Sequence, residues 1–323
     1  MFDTMSLEAM QTYRGRQEVP EDFDQFWERQ LTSHRNLPEF ELIEQDFKVP
    51  NARFYALTFT AANGSRIFSK CAFPKSDKPV PVLFYFHGYQ GQSPDWTENL
   101  KFVAAGYGVV CMDVRGQAGR STDQGQFDGM TVKGQVIRGA VEGPEHLFYK
   151  DIYMDVYQLI EIVAGLDFVN SDKLYSYGAS QGGALALVAA ALNTRIKRVV
   201  SIYPFLSDFK RVMELNDVNE PYNELFRYFR FSDPFHETED EFLHTLGYID
   251  VKNLAHRIQC PVHMVTGLND IICPPSTQFA IYNRLTCDKD IKLLPDYGHD
   301  GLHVKVNDYV FDKLFGTSVL GMS

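Results

Sequence analysis

Lys173-Leu174-Tyr175-Ser176-Tyr177 leads without a break into Gly178-Ala179-Ser180-Gln181-Gly182-Gly183, and then into Ala184-Leu185-Ala186-Leu187. The first five residues read as a strand, the middle six as a tight turn of small residues, and the rest as a helix continuing to Leu192. Gly-x-Ser-x-Gly between a strand and a helix places the serine on a sharp turn, where larger flanking side chains would collide with both neighbours. The helix that follows turns its positive dipole end and first N–H groups toward that serine, a setting that favours a developing oxyanion. Ser180 is therefore the candidate nucleophile, and no second Gly-x-Ser-x-Gly occurs in the chain. The plainer alternative is a Gly-Ser turn that only joins strand to helix.

Outward from this turn, the chain alternates buried-type strands with helical stretches. Apolar runs at Val82–Phe86, Gly108–Met112, Leu174–Tyr177, Arg198–Tyr203, Val262–Thr266 and Ile291–Leu294 predict strands covered on both faces. Tyr153, Val156, Tyr157, Ile160 and Val163 form one helical stripe between them. Three strand-like runs lie between Phe40 and Phe73, and Ala61-Ala62-Asn63-Gly64 carries the Asn-Gly signal of a hairpin. Pro20 suits the first turn of a helix whose Phe23, Phe26, Trp27 and Leu31 share a face. The expected fold is α/β: a mainly parallel central sheet with helices on both faces and an antiparallel N-terminal start, in one domain over residues 1–323. Two stretches, 114–150 and 204–257, exceed ordinary loop lengths and are expected to shape the entrance of a site.

A serine hydroxyl needs a base held by a third group, and in this fold the order along the chain is Ser, then an acid, then His. His299, in Asp296-Tyr297-Gly298-His299-Asp300-Gly301 after the last strand, is the favoured base. His236, His244 and His256 fall in or beside the charged excursion, and His263 lies inside a predicted strand. Asp270 is the first acid after the Val262–Thr266 strand and is favoured over Asp296 and Asp300, which lie too close along the chain to His299. His299 and His303 also have the spacing of paired metal ligands on a helix, with no evident third ligand. The loop His87-Gly88-Tyr89-Gln90-Gly91 stands where this fold draws its second oxyanion N–H, to act with that of Gln181.

Composition narrows the classes. With 31 Lys and Arg against 42 Asp and Glu, the net charge of −11 argues against a nucleic-acid partner. Hydrophobic residues at 45% and charged residues at 23% match an ordinary soluble protein. Five scattered cysteines without a CxxC pair predict reduced thiols rather than a zinc knuckle or disulfide framework. Met1–Gly15 lacks the apolar core of a secretory signal, and Ala184–Leu192 is too short to span a bilayer. The expectation is a cytoplasmic protein with no membrane partner.

These pieces together resemble the acetyl xylan esterase / cephalosporin C deacetylase family, carbohydrate esterase family 7, from Pro20 to about Leu314. The resemblance rests on Pro20-Glu21-Asp22-Phe23-Asp24-Gln25-Phe26-Trp27, His87-Gly88-Tyr89, Arg115-Gly116-Gln117, Gly178-Ala179-Ser180-Gln181-Gly182 and Pro204-Phe205-Leu206, in that order. It implies catalytic roles for Ser180, Asp270 and His299, oxyanion donors from the backbones of Tyr89 and Gln181, and loop bracing by Arg115 and Gln117. It further implies a small acetyl ester as substrate, no metal or organic cofactor, and a homo-oligomer, by resemblance a hexameric ring. One departure is Asp300, where the family usually has Glu after the histidine. A peptidase of the prolyl oligopeptidase kind, and a non-catalytic binding protein of the same fold, are the alternative readings.

Overall fold

The computed structural model describes residues 3–127, 135–216 and 219–316. Parts of both long excursions (128–134 and 217–218) and both chain ends therefore lie outside the described residues.

The polypeptide enters through helices α1 (Leu7–Met10) and α2 (Phe23–Ser33). Pro20, expected inside the first turn of α2, instead precedes the helix and accepts the Phe23 N–H at 3.1 Å. Phe23, Phe26 and Trp27 are buried as their spacing predicts, and the Trp27 indole donates to the Tyr248 carbonyl at 3.1 Å.

Strands β1 (Phe40–Gln45), β2 (Ala52–Thr60) and β3 (Arg66–Pro74) form the antiparallel start. The parallel part contains β4 (Val80–Phe86), β5 (Gly108–Met112), β6 (Val169–Ala179), β7 (Ile196–Ile202), β8 (Val262–Gly267) and β9 (Lys289–Leu294). The sheet order is β1-β2-β3-β5-β4-β6-β7-β8-β9. Strand order reverses between β4 and β6, so the carboxyl ends of those two strands flank the crevice where open α/β sheets bind ligands.

Alternation along each strand feeds two cores. Val82, Phe84, Phe86, Val110 and Met112 point to one face, and Leu83, Val109, Cys111 and Val200 to the other. The first face is covered by α4 (Phe148–Ala164) and α5 (Gln181–Leu192), and the second by α3 (Leu100–Ala104) and α11 (Val306–Phe315). Every residue of α5 is buried, in keeping with its lack of a polar face.

Residues 204–257 fold mainly as helices α6 (Phe209–Glu214), α7 (Asn223–Phe231), α8 (Glu239–Leu246) and α9 (Val251–Leu254), packed on the α4–α5 side. Helix α10 (Pro275–Tyr282) follows β8. The first turn of α4 takes up the end of the 114–150 stretch. None of the five cysteines is in a disulfide, and no helix among the described residues is long and apolar enough to cross a membrane.

Candidate active site

Ser180 joins β6 to α5 with φ 58° and ψ −122°, a left-handed conformation that a side chain tolerates only when its surroundings hold it there. The hold is visible in the backbone: Ser180 N–H donates to the Ile202 carbonyl at 2.9 Å, and the Ser180 carbonyl accepts from Ala184 and Phe205 at 3.0 and 3.2 Å. A Cβ on Gly178 would lie 2.3 Å from the Gly182 carbonyl, and one on Gly182 would lie 2.0 Å from the Phe86 carbonyl. Helix α5 can start this close to β4 and β6 only because both positions are glycine. Its first-turn N–H groups have no intrahelical acceptors, as at any helix start.

Across the switch point, β4 runs into His87-Gly88-Tyr89. Burial pushes the His87 imidazole below its ordinary value. The neutral ring donates from Nδ1 to the Gly88 carbonyl at 2.8 Å and accepts the Val114 N–H on Nε2 at 3.0 Å. That pair of bonds sets the course of the loop carrying Tyr89. The Tyr89 hydroxyl accepts the Gln135 N–H at 2.8 Å, and its ring stands 5.7 Å from that of Phe205. Burial, with the nearby Glu224 carboxyl, pushes the phenol well above the ordinary tyrosine range.

Behind the nucleophile lies a network of amides. Gln117 and Gln181 exchange hydrogen bonds in both directions, at 2.8 and 3.0 Å. Gln117 also donates to Gln135 at 2.9 Å, while the Tyr149 hydroxyl donates to the Gln181 side-chain oxygen Oε1 at 2.7 Å. Arg115, two residues before Gln117, makes a bidentate pair with Asp155 of α4 at 2.7 and 2.6 Å and reaches Asp151 at 3.1 Å. Burial raises Asp155 to about 6 against the pull of Arg115.

Asp270 follows β8 and is 1% exposed. Its Oδ1 accepts the backbone N–H groups of Ile272 and Cys273 at 2.9 and 2.8 Å. Its Oδ2 meets His299 Nδ1 at 2.9 Å and Gln278 Nε2 of α10 at 3.4 Å. The loops after β8 and β9 are zipped together by the bond from Asn269 N–H to the Tyr297 carbonyl, 2.9 Å. The His299 side chain is 21% exposed, and its ring lies 4.5 Å from that of Tyr203. Tyr203 directly follows Ile202, the residue that holds the Ser180 N–H, so Ser180 and His299 meet the same end of β7.

The structure thus joins Asp270 to His299 and sets both at the sheet edge that carries Ser180. Asp300 turns the other way, accepting the Gly298 N–H at 2.8 Å and so shaping the turn that presents His299. The remaining histidines have other company: His236 faces Glu239, His256 faces Asp24 and His263 faces Asp290. His303 packs its ring 6.0 Å from that of Tyr297.

Sequence reasoning missed Gln135, Tyr149, Tyr203, Glu224 and Gln278; Tyr203 borders the Pro204-Phe205-Leu206 motif and Gln278 lies eight residues after Asp270, but none of the five belongs to a motif. Glu224 of α7 is buried, accepts the Val136 N–H, and is pushed up to about 8 by burial. No local pattern marks a glutamate whose partner is a backbone nearly ninety residues away.

Residues 1–315 match the family model described as acetyl xylan esterase (AXE1). Acetyl Xylan Esterase 1 from Thermoanaerobacterium sp. JW/SL YS485 superposes with a TM-score of 0.93 at 45% identity, covering 96% of this chain and 98% of that one. An acetyl xylan esterase from Paenibacillus sp. R4 gives 0.90 at 32% identity, covering 96% and 100%. The acetyl esterase Axe7A of Xylanibacter ruminicola is 27% identical over 288 residues, 87% of this chain; the chain spans 63% of that relative's length. By the match along its length and the likeness of its structure, the chain belongs to the acetyl xylan esterase family.

Proposed function

We propose that the protein hydrolyses acetyl esters of sugars, acetylated xylo-oligosaccharides foremost and compact esters such as cephalosporin C alongside, by acyl transfer through Ser180. The observation that carries this reading is the Asp270–His299 hydrogen bond at the sheet edge that presents Ser180 in its strained turn.

In the mechanism, Asp270 accepts the Nδ1 proton of His299 and so leaves Nε2 as the basic nitrogen. His299 Nε2 takes the Ser180 proton while Oγ attacks the acetyl carbonyl. The tetrahedral oxyanion is held by the backbone N–H groups of Tyr89 and Gln181, each donor of this kind contributing about 10²–10³ in rate. His299 then protonates the leaving sugar oxygen. Water repeats the sequence on the acetyl-enzyme and releases acetate. Arg115 and Gln117 do not react; their bonds to α4 and to Gln181 keep the loop after β5 against the elbow.

The excursions 114–150 and 204–257 border this site through Gln135 and Phe205 and are read as its entrance. Cytoplasmic residence suits five unbridged thiols. A homo-oligomer, hexameric by family resemblance, would cover the exposed Phe40 and Ile43 of the outer strand β1 and Leu37 and Phe47 on either side of it.

The reading is tested by measuring kcat/KM on acetylated xylo-oligosaccharides, cephalosporin C, small acetates and matched amides. Hydrolysis of the acetates with no measurable amide cleavage supports it, and preferential amide cleavage would replace it with a peptidase.

A further inference from the structure

The sequence holds a pair of histidines at metal-ligand spacing, His299 and His303, but the structure groups His299 with different residues. Among the described residues, Asp270, Cys273 and His299 form a cluster in which one ligand atom from each lies within 4.8 Å of the other two. Asp270 and Cys273 are buried, while His299 is partly exposed and forms the way in. Cys273 enters no disulfide and takes no part in the acyl-transfer steps above.

We propose that these three side chains also form a site for a thiophilic divalent cation of the zinc or cadmium class, and that filling it silences the esterase. The proposal rests on the assignment of His299 as the base. The donor set suits such a cation: a soft sulfur, an imidazole nitrogen and a carboxylate oxygen are its preferred ligands. Zinc bonds of about 2.0–2.3 Å to such atoms imply ligand atoms roughly 3.3–3.7 Å apart in tetrahedral geometry. The Asp270–His299 contact at 2.9 Å must therefore open slightly, and the thiol, within 4.8 Å of both partners, must close in by no more than about 1.5 Å. Water fills the fourth position on the exposed side of His299.

Charge and protons balance. The cation replaces the Cys273 thiol proton, which leaves to solvent, and bonds to His299 Nδ1, whose proton reappears on Nε2. Thiolate, carboxylate and divalent cation sum to zero charge, the state that a buried site favours. With Nε2 protonated, the imidazole cannot take the Ser180 proton, so inhibition follows from the tautomer alone.

The test titrates zinc and cadmium against the wild type, Cys273→Ser and Cys273→Ala. It reads acetate-ester hydrolysis and the ultraviolet thiolate-to-cadmium absorption, with melting temperatures confirming that each variant folds. The expected result is chelator-reversible inhibition of the wild type that weakens by at least about tenfold in both variants. The difference absorption between wild type and Cys273→Ala should saturate at one cadmium per chain, since Cys260 and Cys287 contribute equally to both. Equal inhibition constants in all three proteins would overturn the proposal. Ser180→Ala should bind cadmium with the wild-type absorption, so loss of the esterase assignment and loss of the metal site read differently. Independently of any variant, a cadmium-soaked wild-type crystal should show the ion on Cys273, His299 and Asp270; cadmium elsewhere only would also overturn it.

Discussion

Replacing Asp270 by Asn changes one atom, and the structure dictates where that atom must go. The Asp270 Oδ1 position receives two backbone N–H groups, from Ile272 and Cys273, and Oδ2 faces His299 Nδ1. An asparagine NH₂ placed at Oδ1 would oppose two buried donors and lose two hydrogen bonds, about 1–3 kcal/mol each. Placed at Oδ2, it loses neither and gives up only the longer 3.4 Å contact from Gln278 Nε2, so the amide nitrogen faces the imidazole. His299 must then accept on Nδ1 and carry its proton on Nε2, the tautomer that cannot deprotonate Ser180. The same trapped tautomer in a chymotrypsin-type protease lowers kcat about 10⁴-fold, some 5.5 kcal/mol in the barrier. For Asp270→Asn we expect kcat on a chromogenic acetate to fall by a similar factor, with KM and melting temperature nearly unchanged. Asp270→Ala should lose activity and stability together, because the two N–H groups then have no acceptor. An Asp270→Asn enzyme within tenfold of wild-type kcat would refute the reasoning.

Further expectations follow from close packing and buried charge. Gly182→Ala pushes a methyl to 2.0 Å from the Phe86 carbonyl, so urea denaturation should show a loss of about 3 kcal/mol or more. Gly301→Ala, which meets nothing within 4 Å, should stay within about 0.5 kcal/mol of wild type. Arg115→Ala strands the buried Asp155 carboxylate and should cost about 3–5 kcal/mol, part of which Asp155→Asn recovers by removing the charge; a cost below 1 kcal/mol would contradict the buried pair. Glu224 is raised from its ordinary 4.5 to about 8, so the folded chain keeps a proton that the unfolded chain releases. Its contribution to stability is present below about pH 4.5 and is lost as the pH rises through about 8. Stability measured across that window should fall less steeply in Glu224→Gln, and an unchanged slope would contradict the assignment.

Much of this fold is legible because parallel strands buried on both faces are written as unbroken apolar runs. Gly108–Met112 appears as a strand with the predicted limits, and helix α5 spans Gln181–Leu192 as its composition indicates. The hairpin at Asn63-Gly64 likewise joins β2 to β3. Strand ends are less visible: β6 begins at Val169, five residues before the apolar run, because the polar, partly or fully exposed residues Asn170, Ser171, Asp172 and Lys173 separate buried Val169 from that run. Pro20 misled for a related reason, since its fixed φ suits the approach to a helix as well as the first turn. At the site, the elbow and the Asp270 and His299 loops could be read from motif order alone. The bonds from Gln117 to Gln181 and from Glu224 to the Val136 N–H could not, because they join segments that only the sheet topology brings together.

The central claim is that Ser180 carries the acetyl group. Rapid quenching of the enzyme with a chromogenic acetate, followed by peptide mass analysis, should place one acetyl group on Ser180. The Ser180→Ala enzyme, folded as judged by its melting temperature, should show no adduct and lose about 10⁴-fold or more in kcat. An acetyl group on another residue, or wild-type kcat without Ser180, would contradict the account.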